Sequence, residues 1–492
     1  MRKILLLPIF TILLAIWNAY GNPASPNAAV STTASSTYVS PTPGKFPIVA
    51  WCPYNTGRAS TRADFDTMIS CGFNAAVFGD KTDTIYPVLS RINGLDVSLL
   101  IGMEWYLVHG YIERCTPVVQ GIKNYMIAND IDTTIIGGYV LCDEPSLDYV
   151  NTLRQFQETI KSLDPDVMSY SNLPPEAKFG NSSNVGMMHS YSSSASNREA
   201  LISYLNRYCD IVCPPMLSYD YYPFMINSAG NLEIDFTDFY YNLSLFAHLS
   251  KARAIPFWAH CQSMNVVYLT QGTEGHRPYR PLPTQELLRY EAFNALAMGA
   301  QGIMYWAYSC HDTEDPRYYH NSALVDRDGH KTTAWAAAQA VNREIQKYDT
   351  VFLGCRLKGY KFIGDQYLRP TEVSTISDTV GNFTASVVSG KGALLSRLSN
   401  NGREYVVAVN QDPVNPTKLR FKYRKPAIGM PLDTMIRFND STLVYPQHIG
   451  LNDNFYPPGL FVTHTVDTVL APSQYLIYRI ASRSGTTASG VN

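Results

Sequence analysis

Eight short apolar runs that alternate with helical segments are the feature that most constrains the fold of this 492-residue chain. Each run has the length of one strand, and the segments between them repeat apolar residues with helical period, as in Leu147–Leu163 and Thr284–Met298. This alternation is typical of parallel βα units, and eight strands close a (β/α)8, or TIM, barrel. The predicted strands are Phe46–Tyr54, Phe73–Asp80, Val97–Trp105, Ile135–Asp143, Val167–Asn172, Asp210–Tyr219, Ile255–Gln262 and Gly302–Tyr308.

The loop after the first run argues against the main alternative, a doubly wound open sheet. Such sheets bind nucleotides through a Gly-rich loop after their first strand, but Pro53-Tyr54-Asn55 stands at that place. A predicted helix over Thr332–Lys347 then completes the barrel. Cys209 and Cys213 lack a second Cys or His pair nearby, so the sequence predicts no zinc site. We therefore expect an α/β barrel without a cofactor or a metal.

A second domain follows the barrel. From about residue 352 the helical period gives way to short alternating runs with turns between them, which predict an antiparallel β-sandwich. The clearest of these runs are Gly392–Leu398, Arg403–Asn410, Lys418–Tyr423 and Gln474–Ile480. The predicted domains are a signal peptide (1–21), a disordered linker rich in Pro, Ser and Thr (22–45), the barrel (46–350), the sandwich (351–482) and a flexible tail (483–492).

The N-terminus predicts export. Met1-Arg2-Lys3 provides a basic start, and the apolar run Ile4–Trp17 has the length of a signal-peptide core. The rest of the sequence contains no apolar run long enough for a membrane span. We expect a periplasmic, cell-surface or secreted protein. Its nine scattered cysteines favour free buried thiols over a disulfide framework.

Charge and aromatic content narrow the range of partners. Thirty-nine basic and forty-one acidic side chains leave a formal charge of −2, which gives no general attraction to nucleic acid or to an anionic membrane. Aromatic residues make up 12% of the chain, and 34 of them are Tyr. Half-polar rings suit a protein that stacks on sugars while hydrogen-bonding their hydroxyls. The sequence leaves the oligomeric state undetermined.

Reactive side chains cluster at the predicted strand ends. In a TIM barrel the active site lies at the C-terminal ends of the strands. Carboxylates, amides and rings crowd those ends, and their combination matches hydrolysis of a glycosidic bond, which needs a proton donor, a negative group and surfaces that hold sugar. These residues are Asp80, Glu104, Trp105, Asp143, Glu144, Asn172, Tyr219, Asp220, His260, Gln262 and Trp306.

The most specific element is the run from Gly137 to Pro145 at the end of the fourth strand. Its Asp143-Glu144-Pro145 resembles the Asn-Glu-Pro of the large retaining glycosidase clan, in which that Glu is the acid/base. The stretch from Pro283 through Met298-Gly299-Ala300-Gln301-Gly302 to Trp306 is similar to the last helix and strand of family 42 β-galactosidase-like barrels. The resemblance implies a glycosidase that acts on a carbohydrate, with Glu144 as its acid/base.

Two positions depart from the clan's pattern. Asp143 replaces the Asn that binds the sugar 2-hydroxyl in the clan. Gln262 stands where the clan has its nucleophilic Glu, at the end of strand seven. An amide cannot form a glycosyl ester, so the ordinary double displacement requires a different second group.

A different resemblance supplies another mechanism. Met216 to Asp220 looks like the Met-x-Tyr-Asp of family 18 chitinases, and an adjacent Asp-Glu is similar to family 20 hexosaminidases. There the substrate's acetamido group attacks the anomeric carbon, which implies that Asp143 and Tyr219 position an acetamide. However, Tyr139 and Leu141 stand where the chitinase signature has further aspartates.

A third arrangement keeps two protein carboxylates, with Glu104 or Asp220 as the partner of Glu144. Catalytic candidates are therefore Glu144, Asp143, Asp220 and Glu104. Candidates for substrate binding are Tyr219, Gln262, Trp306, Trp105, His260 and Asp80, with Trp306 expected to be the sugar platform. Adjacent strand residues face opposite sides, so Asp143 and Glu144 can share a site only if the strand kinks. The rival class is a glycan-binding protein on a degenerate, non-catalytic barrel.

Overall fold

The computed structural model describes residues 38–481, except 52–60, 80–81, 105–111, 176–196, 269–276, 311–317, 372, 374, 382, 427–433, 438–441 and 445–460. The predicted signal peptide and tail lie outside the described residues. A closed barrel is formed by eight parallel strands, which are in order Ile48–Trp51, Ala75–Phe78, Ser98–Gly102, Ile136–Asp143, Met168–Leu173, Leu217–Tyr219, Phe257–Gln262 and Ile303–Trp306. The last of these strands pairs with the first to complete the ring. The predicted TIM barrel is therefore confirmed.

The first part of the chain alternates strictly between strands and helices. In order it contains β1 (Ile48–Trp51), α1 (Arg62–Ser70), β2 (Ala75–Phe78), α2 (Thr82–Ile92), β3 (Ser98–Gly102), α3 (Cys115–Ala128), β4 (Ile136–Asp143), α4 (Val150–Leu163), β5 (Met168–Leu173), α5 (Asn197–Val212) and β6 (Leu217–Tyr219). Residues 210–212, which the sequence assigned to the sixth strand, form the last turn of α5 instead.

The second part inserts short antiparallel strands at the C-terminal end of the barrel. In order it contains β7 (Phe224–Ile226), β8 (Leu232–Ile234), α6 (Phe236–Arg253), β9 (Phe257–Gln262), β10 (Asn265–Tyr268), β11 (Arg277–Arg280), α7 (Gln285–Ala297), β12 (Ile303–Trp306), β13 (Tyr318–Ser322) and α8 (Thr333–Lys347). Strands β7 and β8 form a hairpin, and β10 pairs with both β11 and β13. The sequence had treated residues 265–282 as one long loop.

Strand alternation divides the core of the barrel into two layers. Inward side chains fill the lumen, and outward side chains pack against the helices. Helix α4 shows the outer layer, since it buries Val150, Leu153, Phe156 and Ile160 at helical spacing. The lumen cluster comprises Val49, Ala75, Val77, Leu100, Val140, Met168, Tyr170, Met216, Trp258 and Met304.

Residues 38–45 pack against the N-terminal end of the lumen. The sequence assigned them to a disordered linker, but Tyr38 packs on the lumen cluster and the Ser98 hydroxyl donates a hydrogen bond to the Pro41 carbonyl at 2.5 Å. Gly137 permits this approach, because a Cβ at that position would lie 2.7 Å from the Pro41 side chain. The predicted boundary at residue 46 is therefore too late.

The C-terminal domain is built from antiparallel strands, as predicted. After the short helix α9 (Asp349–Phe352) come β14 (Arg356–Gly364), β15 (Phe383–Ser389), β16 (Gly392–Asn400), β17 (Arg403–Asn410), β18 (Thr417–Pro426), β19 (Thr434–Arg437), β20 (Thr442–Val444), β21 (Phe461–Leu470) and β22 (Tyr475–Ala481). One sheet has the order β14, β16, β17, β22, β19, β20, and the other has the order β15, β18, β21.

The six-stranded sheet packs on the barrel through α7. The rings of Phe293 and Tyr475 stack across this contact with centroids 3.6 Å apart. The core between the two sheets includes Leu395, Val406, Leu419 and Phe421. The three-stranded sheet therefore lies on the side of the domain that faces away from the barrel.

Two further expectations concern the cysteines and the membrane-spanning segments. The eight described cysteines are free thiols, and all but Cys213 are buried. No described helix has both the length and the apolar character needed to cross a membrane.

Candidate active site

A β-bulge at the end of β4 places two adjacent carboxylic acids in one site. Val140 is in register with Tyr170 on β5, and Asp143 is in register with Asn172, so three residues on β4 match two on β5. The extra residue turns Cys142 toward the helices and Asp143 toward the lumen. This irregularity supplies the kink that a shared site for Asp143 and Glu144 requires.

The backbone of Glu144 is held in an unusual conformation. Its φ of +41° lies in the left-handed region that residues with a Cβ rarely adopt. Its N–H donates to the Asn172 carbonyl at 2.9 Å, and the Tyr204 hydroxyl donates to the next carbonyl, that of Pro145, at 2.6 Å. Strain of this kind persists where surrounding contacts enforce it, and it is concentrated at functional sites.

Asn172 connects the carboxyl groups of β4 and β6. Its side-chain NH2 donates to an Asp143 oxygen at 2.9 Å and to an Asp220 oxygen at 2.8 Å. The Glu144 carboxyl hydrogen-bonds the Asp220 carboxyl directly. All three acids keep partial exposure to solvent. The structure thus brings Asp143, Glu144 and Asp220 together at the C-terminal end of the lumen.

A chain of hydrogen bonds behind the acids fixes the orientation of Asn172. The Ser218 hydroxyl donates to the Asn172 side-chain carbonyl at 2.9 Å, and it lies 3.3 Å from His260 Nε2. Because the Ser218 proton is already committed, His260 Nε2 must be the donor to Ser218. Burial lowers the pKa of His260 to about 3, so the ring is neutral in this network.

The three acids have raised pKa values. Burial raises the pKa of Glu144 well above its usual range, and the charges of Asp220 and Asp143 and the hydrogen bond to Asp220 raise it further. Burial and the charge of Asp143 raise the pKa of Asp220 to about 7, against the opposing hydrogen bond from Asn172. Burial also raises the pKa of Asp143. Burial and the neighbouring carboxylates therefore favour the protonated form of Glu144.

Two rings and a guanidinium form a wall beside the acids. Tyr222 stacks on Trp306 with centroids 5.0 Å apart, and the Arg280 guanidinium lies 4.7 Å from the centre of the Tyr222 ring. Tyr222, Arg280 and Trp306 are all partly exposed, and the charge of Arg280 favours the ionised forms of Glu144 and Asp220. Trp306, predicted as the sugar platform, is therefore part of a composite surface that the β11 strand helps to build.

The two polar residues of β9 lie within the wall of the site. Gln262 is completely buried, and its side-chain carbonyl accepts the Phe224 N–H at 3.4 Å. His260 is 6% exposed and is engaged with Ser218. Both residues were predicted to bind substrate, and in the structure each of them contacts a neighbouring group of the wall. The Gln262 N–H in turn donates to both oxygens of the buried Glu291 on α7, at 3.1 and 3.2 Å.

Tyr219 does not face the site. Its ring stacks on Phe246 of α6 with centroids 4.1 Å apart, and it belongs to the layer between barrel and helices. Adjacent residues of a strand point to opposite faces, so Asp220 reaches the lumen while Tyr219 points outward. The prediction that Tyr219 binds substrate is corrected accordingly.

The remaining candidates lie elsewhere or outside the described residues. Glu104 is partly exposed at the end of β3, where the Cys142 thiol approaches its carboxylate at 3.7 Å. Glu144 interacts with Asp220, and a role for Glu104 as its partner stays a prediction. Asp80 and Trp105 lie outside the described residues. Among the described residues, Asp326, Asp328 and His330 could group around a metal ion in an exposed turn after β13.

Sequence reasoning did not assign roles to several residues of the site. Asn172 stood among the strand-end residues, and alternation along β5 places it on the same face as Tyr170, which would have indicated its inward direction. Glu291 is an acid on α7 with Tyr290 before it and Ala292 and Phe293 after it, and such neighbours are a signal of a buried role. Ser218 carried no pattern that separates it from an ordinary wall residue, whereas Tyr222 closely follows the predicted sixth strand and Arg280 lies in the segment after the predicted seventh strand.

Solved structures resemble this chain in fold. No family model matches the chain, and no curated protein matches its sequence. Among solved structures, Gan42B, a GH42 β-galactosidase from G. stearothermophilus, has a TM-score of 0.51 at 9% identity, covering 91% of this chain and 100% of its own. A catalytic mutant of Gan42B has a TM-score of 0.51 at 8% identity, covering 90% and 100%.

A third solved structure has a weaker likeness. A crystal structure described as an α-L-fucosidase from Bacteroides thetaiotaomicron has a TM-score of 0.40 at 11% identity, covering 65% of this chain and 98% of its own. The likeness to Gan42B, which extends over nearly the whole chain, shows a shared fold. Fold alone does not establish activity.

Proposed function

We propose that the chain is a glycoside hydrolase in which Glu144 is the general acid and Asp220 is the second carboxyl group. The observation that carries the proposal is the grouping of Asp143, Glu144 and Asp220 around Asn172 at the C-terminal end of the barrel. Two acids with different pKa values in one cleft can divide the roles of proton donor and negative group. The GH42 fold of the structural neighbours is consistent with this chemistry.

The hydrogen-bond pattern supports this assignment of roles. Asp220 accepts from Asn172 through one oxygen, which favours its ionised form. Glu144 receives no such donor among the described contacts of its side chain, and its raised pKa favours the protonated form. Protonation of the leaving sugar oxygen would come from Glu144. Asp220 would stabilise positive charge at the anomeric carbon or attack it.

Substrate binding would involve the wall beside the acids. Trp306 and Tyr222 present partly exposed rings of the kind that pack on sugar faces, and Arg280 is held over Tyr222. Gln262 is buried and is not a carboxylate, so a strand-seven nucleophile plays no part in the proposal. Substrate-assisted cleavage of an N-acetylhexosaminide would use Asp143 and Tyr219 to position the acetamido group. Tyr219 faces α6 and does not supply this contact.

The test measures sugar release from a panel of aryl glycosides and natural glycans. Glu144→Gln should lower kcat by about 10²- to 10⁴-fold, the contribution of general acid catalysis. The control is Glu158→Gln, which changes an exposed acid on α4 and should leave turnover unchanged. Binding without turnover by the parent chain would replace the proposal with the glycan-binding alternative.

The same assay separates the mechanisms. NMR of the first-formed product gives the anomeric outcome, which distinguishes a nucleophilic Asp220 from one that activates water. Turnover confined to N-acetyl sugars and blocked by a thiazoline would select the substrate-assisted mechanism.

Export is a further part of the proposal. The basic start and apolar run of residues 1–17 support a signal peptide that is removed near residue 21. Fractionation of expressing cells and N-terminal sequencing of the product would test it. A cytoplasmic protein that retains its first residues would contradict export.

A further inference from the structure

The outer face of the three-stranded sheet carries a row of cations. On β18, the central strand, Lys418, Arg420 and Lys422 alternate with the buried residues Leu419 and Phe421. Alternate residues of a strand lie about 6.7 Å apart on one face. The three cations therefore form a straight row, called here the cationic row, on the side of the domain away from the barrel.

The row is only partly neutralised. Arg420 pairs with Asp467 of β21 through two hydrogen bonds of 2.7 and 2.8 Å. Lys418 and Lys422 have no carboxylate within 4.0 Å in the described part of the chain. Three cations and one carboxylate leave a local excess of positive charge on a protein whose formal charge is −2.

The residues on either side of the row are small and mostly hydroxylated. Strand pairing sets Thr384 and Thr465 beside Lys422, and Ser386 beside Arg420. Thr384 and Ser386 are exposed and Thr465 is partly exposed, so their hydroxyls can hydrogen-bond a ligand that lies along the strand. The face is thus a flat strip of hydroxyls with positive charge along its centre.

We infer that the cationic row is a binding site for a linear anionic polysaccharide, one that carries carboxylate or sulfate groups along its length. Ammonium and guanidinium groups at regular spacing would meet successive anionic groups, while the flanking hydroxyls meet sugar hydroxyls. The site is remote from the three acids of the barrel, so the inference goes beyond the proposed hydrolysis and does not depend on it.

Composition of the face favours a glycan over two other anionic partners. Single-stranded nucleic acid is held by aromatic rings that stack on bases, and the described residues of this face include none. A membrane surface is entered by large apolar side chains, whereas the exposed apolar residues here are Val388 and Val469. A rigid, hydroxyl-bearing polyanion is the partner that matches both the charges and the small neighbours.

The experiment is affinity electrophoresis of the full chain through gels that contain polygalacturonate, chondroitin sulfate or a neutral galactan. We expect retardation by one or both of the acidic polymers and not by the galactan. The carboxylated and sulfated gels distinguish the two kinds of anionic group. Added salt should weaken the binding, because exposed charges are screened.

The decisive variant is the triple substitution Lys418→Gln, Arg420→Gln and Lys422→Gln. Each exposed ion contact contributes a factor of about two to five to binding, so the triple variant should bind roughly tenfold or more weakly. The matched control is Arg356→Gln, Lys358→Gln and Lys361→Gln on β14, which removes the same number and kinds of exposed cation. The control should bind within about twofold of the parent.

Several outcomes would overturn the inference. Equal weakening of both triple variants would indicate a general charge effect and not a site. Retention of DNA or of anionic phospholipid vesicles by the row, without retention by acidic glycans, would assign it to a different partner. If no polymer retards the parent, the inference that the cationic row binds an anionic polysaccharide is wrong. None of these results would alter the outcome of the Glu144 turnover assay.

Discussion

The two ends of the barrel lumen are built from the same eight strands but have opposite chemistry. At the N-terminal end, Met168 and Trp258 are fully buried and Tyr38 packs against them. At the C-terminal end, Asp143, Glu144 and Asp220 are partly exposed, and Asn172 connects them. In TIM barrels the first end serves stability and the second serves chemistry. Substitutions at the C-terminal end should therefore change turnover, and those at the N-terminal end should change folding.

Asp220→Asn should give the largest effect. We expect kcat/KM to fall about 10²- to 10⁴-fold, because an essential acid–base partner is lost. Stability should not fall. Asp220 has a folded pKa of about 7, above its unfolded value, so its ionisation weakens the fold as pH rises from the unfolded pKa through 7. Urea unfolding above neutral pH should show the variant at least as stable as the parent.

The control for that prediction is Asp210→Asn, which changes an exposed acid of α5 that pairs with Arg253. It should leave turnover unchanged. Full activity of Asp220→Asn would contradict the claim that the C-terminal end of the lumen serves turnover.

Met168→Ala tests the opposite end. Truncation of this buried side chain should lower the free energy of unfolding by about 2–5 kcal/mol, through lost burial and a residual cavity. The pH dependence of kcat/KM in the folded variant should match that of the parent. Urea titration and steady-state kinetics measure the two quantities. A change in the pH profile without a loss of stability would show that the two ends are not separate.

Asn172→Leu should shift the pH profile with little loss of volume. Asn172 donates to Asp143 and Asp220 and so lowers the pKa of both. Its replacement removes that donor, and the pKa of Asp220 should rise above about 7. The acid limb of kcat/KM should therefore move to higher pH. A limb that stays in place or moves to lower pH would contradict the connecting role of Asn172.

Ser98→Ala should have the smallest effect. It removes the hydrogen bond to the Pro41 carbonyl that fixes residues 38–45 against the barrel. The expected loss is about 0.5–1.5 kcal/mol of unfolding free energy, the net value of one hydrogen bond. Kinetic constants should not change. Altered turnover in this variant would mean that the N-terminal segment reaches the chemistry.

The fold was predictable because hydrophobic period is a local property of the sequence. The alternation that predicted β4 and α4 persists in the structure, with bounds shifted by a residue or a few. The strands β10 and β11 were missed, since they form only by pairing with each other and through the pairing of β10 with β13, as of Tyr268 with Tyr318. Such pairing leaves little local pattern in a short Pro- and Tyr-rich segment.

The sequence predicted which residues form the site better than it predicted how they are arranged. Residue types and strand ends pointed to Asp143, Glu144 and Asp220. A bulge decides which side chains face the lumen, and it depends on the register between β4 and β5 and not on any residue type. The orientations of Tyr219 and Gln262 were not predictable for the same reason. Their side chains contact α6 and the β7 hairpin, which lie elsewhere in the sequence.

The protonation state of Glu144 at neutral pH is the most direct test of its assignment as the general acid. A difference infrared spectrum between the parent and Glu144→Gln, recorded across a pH titration, reports it. If Glu144 is the general acid, a band of a protonated carboxylic acid should be present at neutral pH in the parent, be absent in the variant and disappear only on alkalinisation. A side chain that is already ionised at mildly acidic pH, near the usual range of a glutamate, would contradict it.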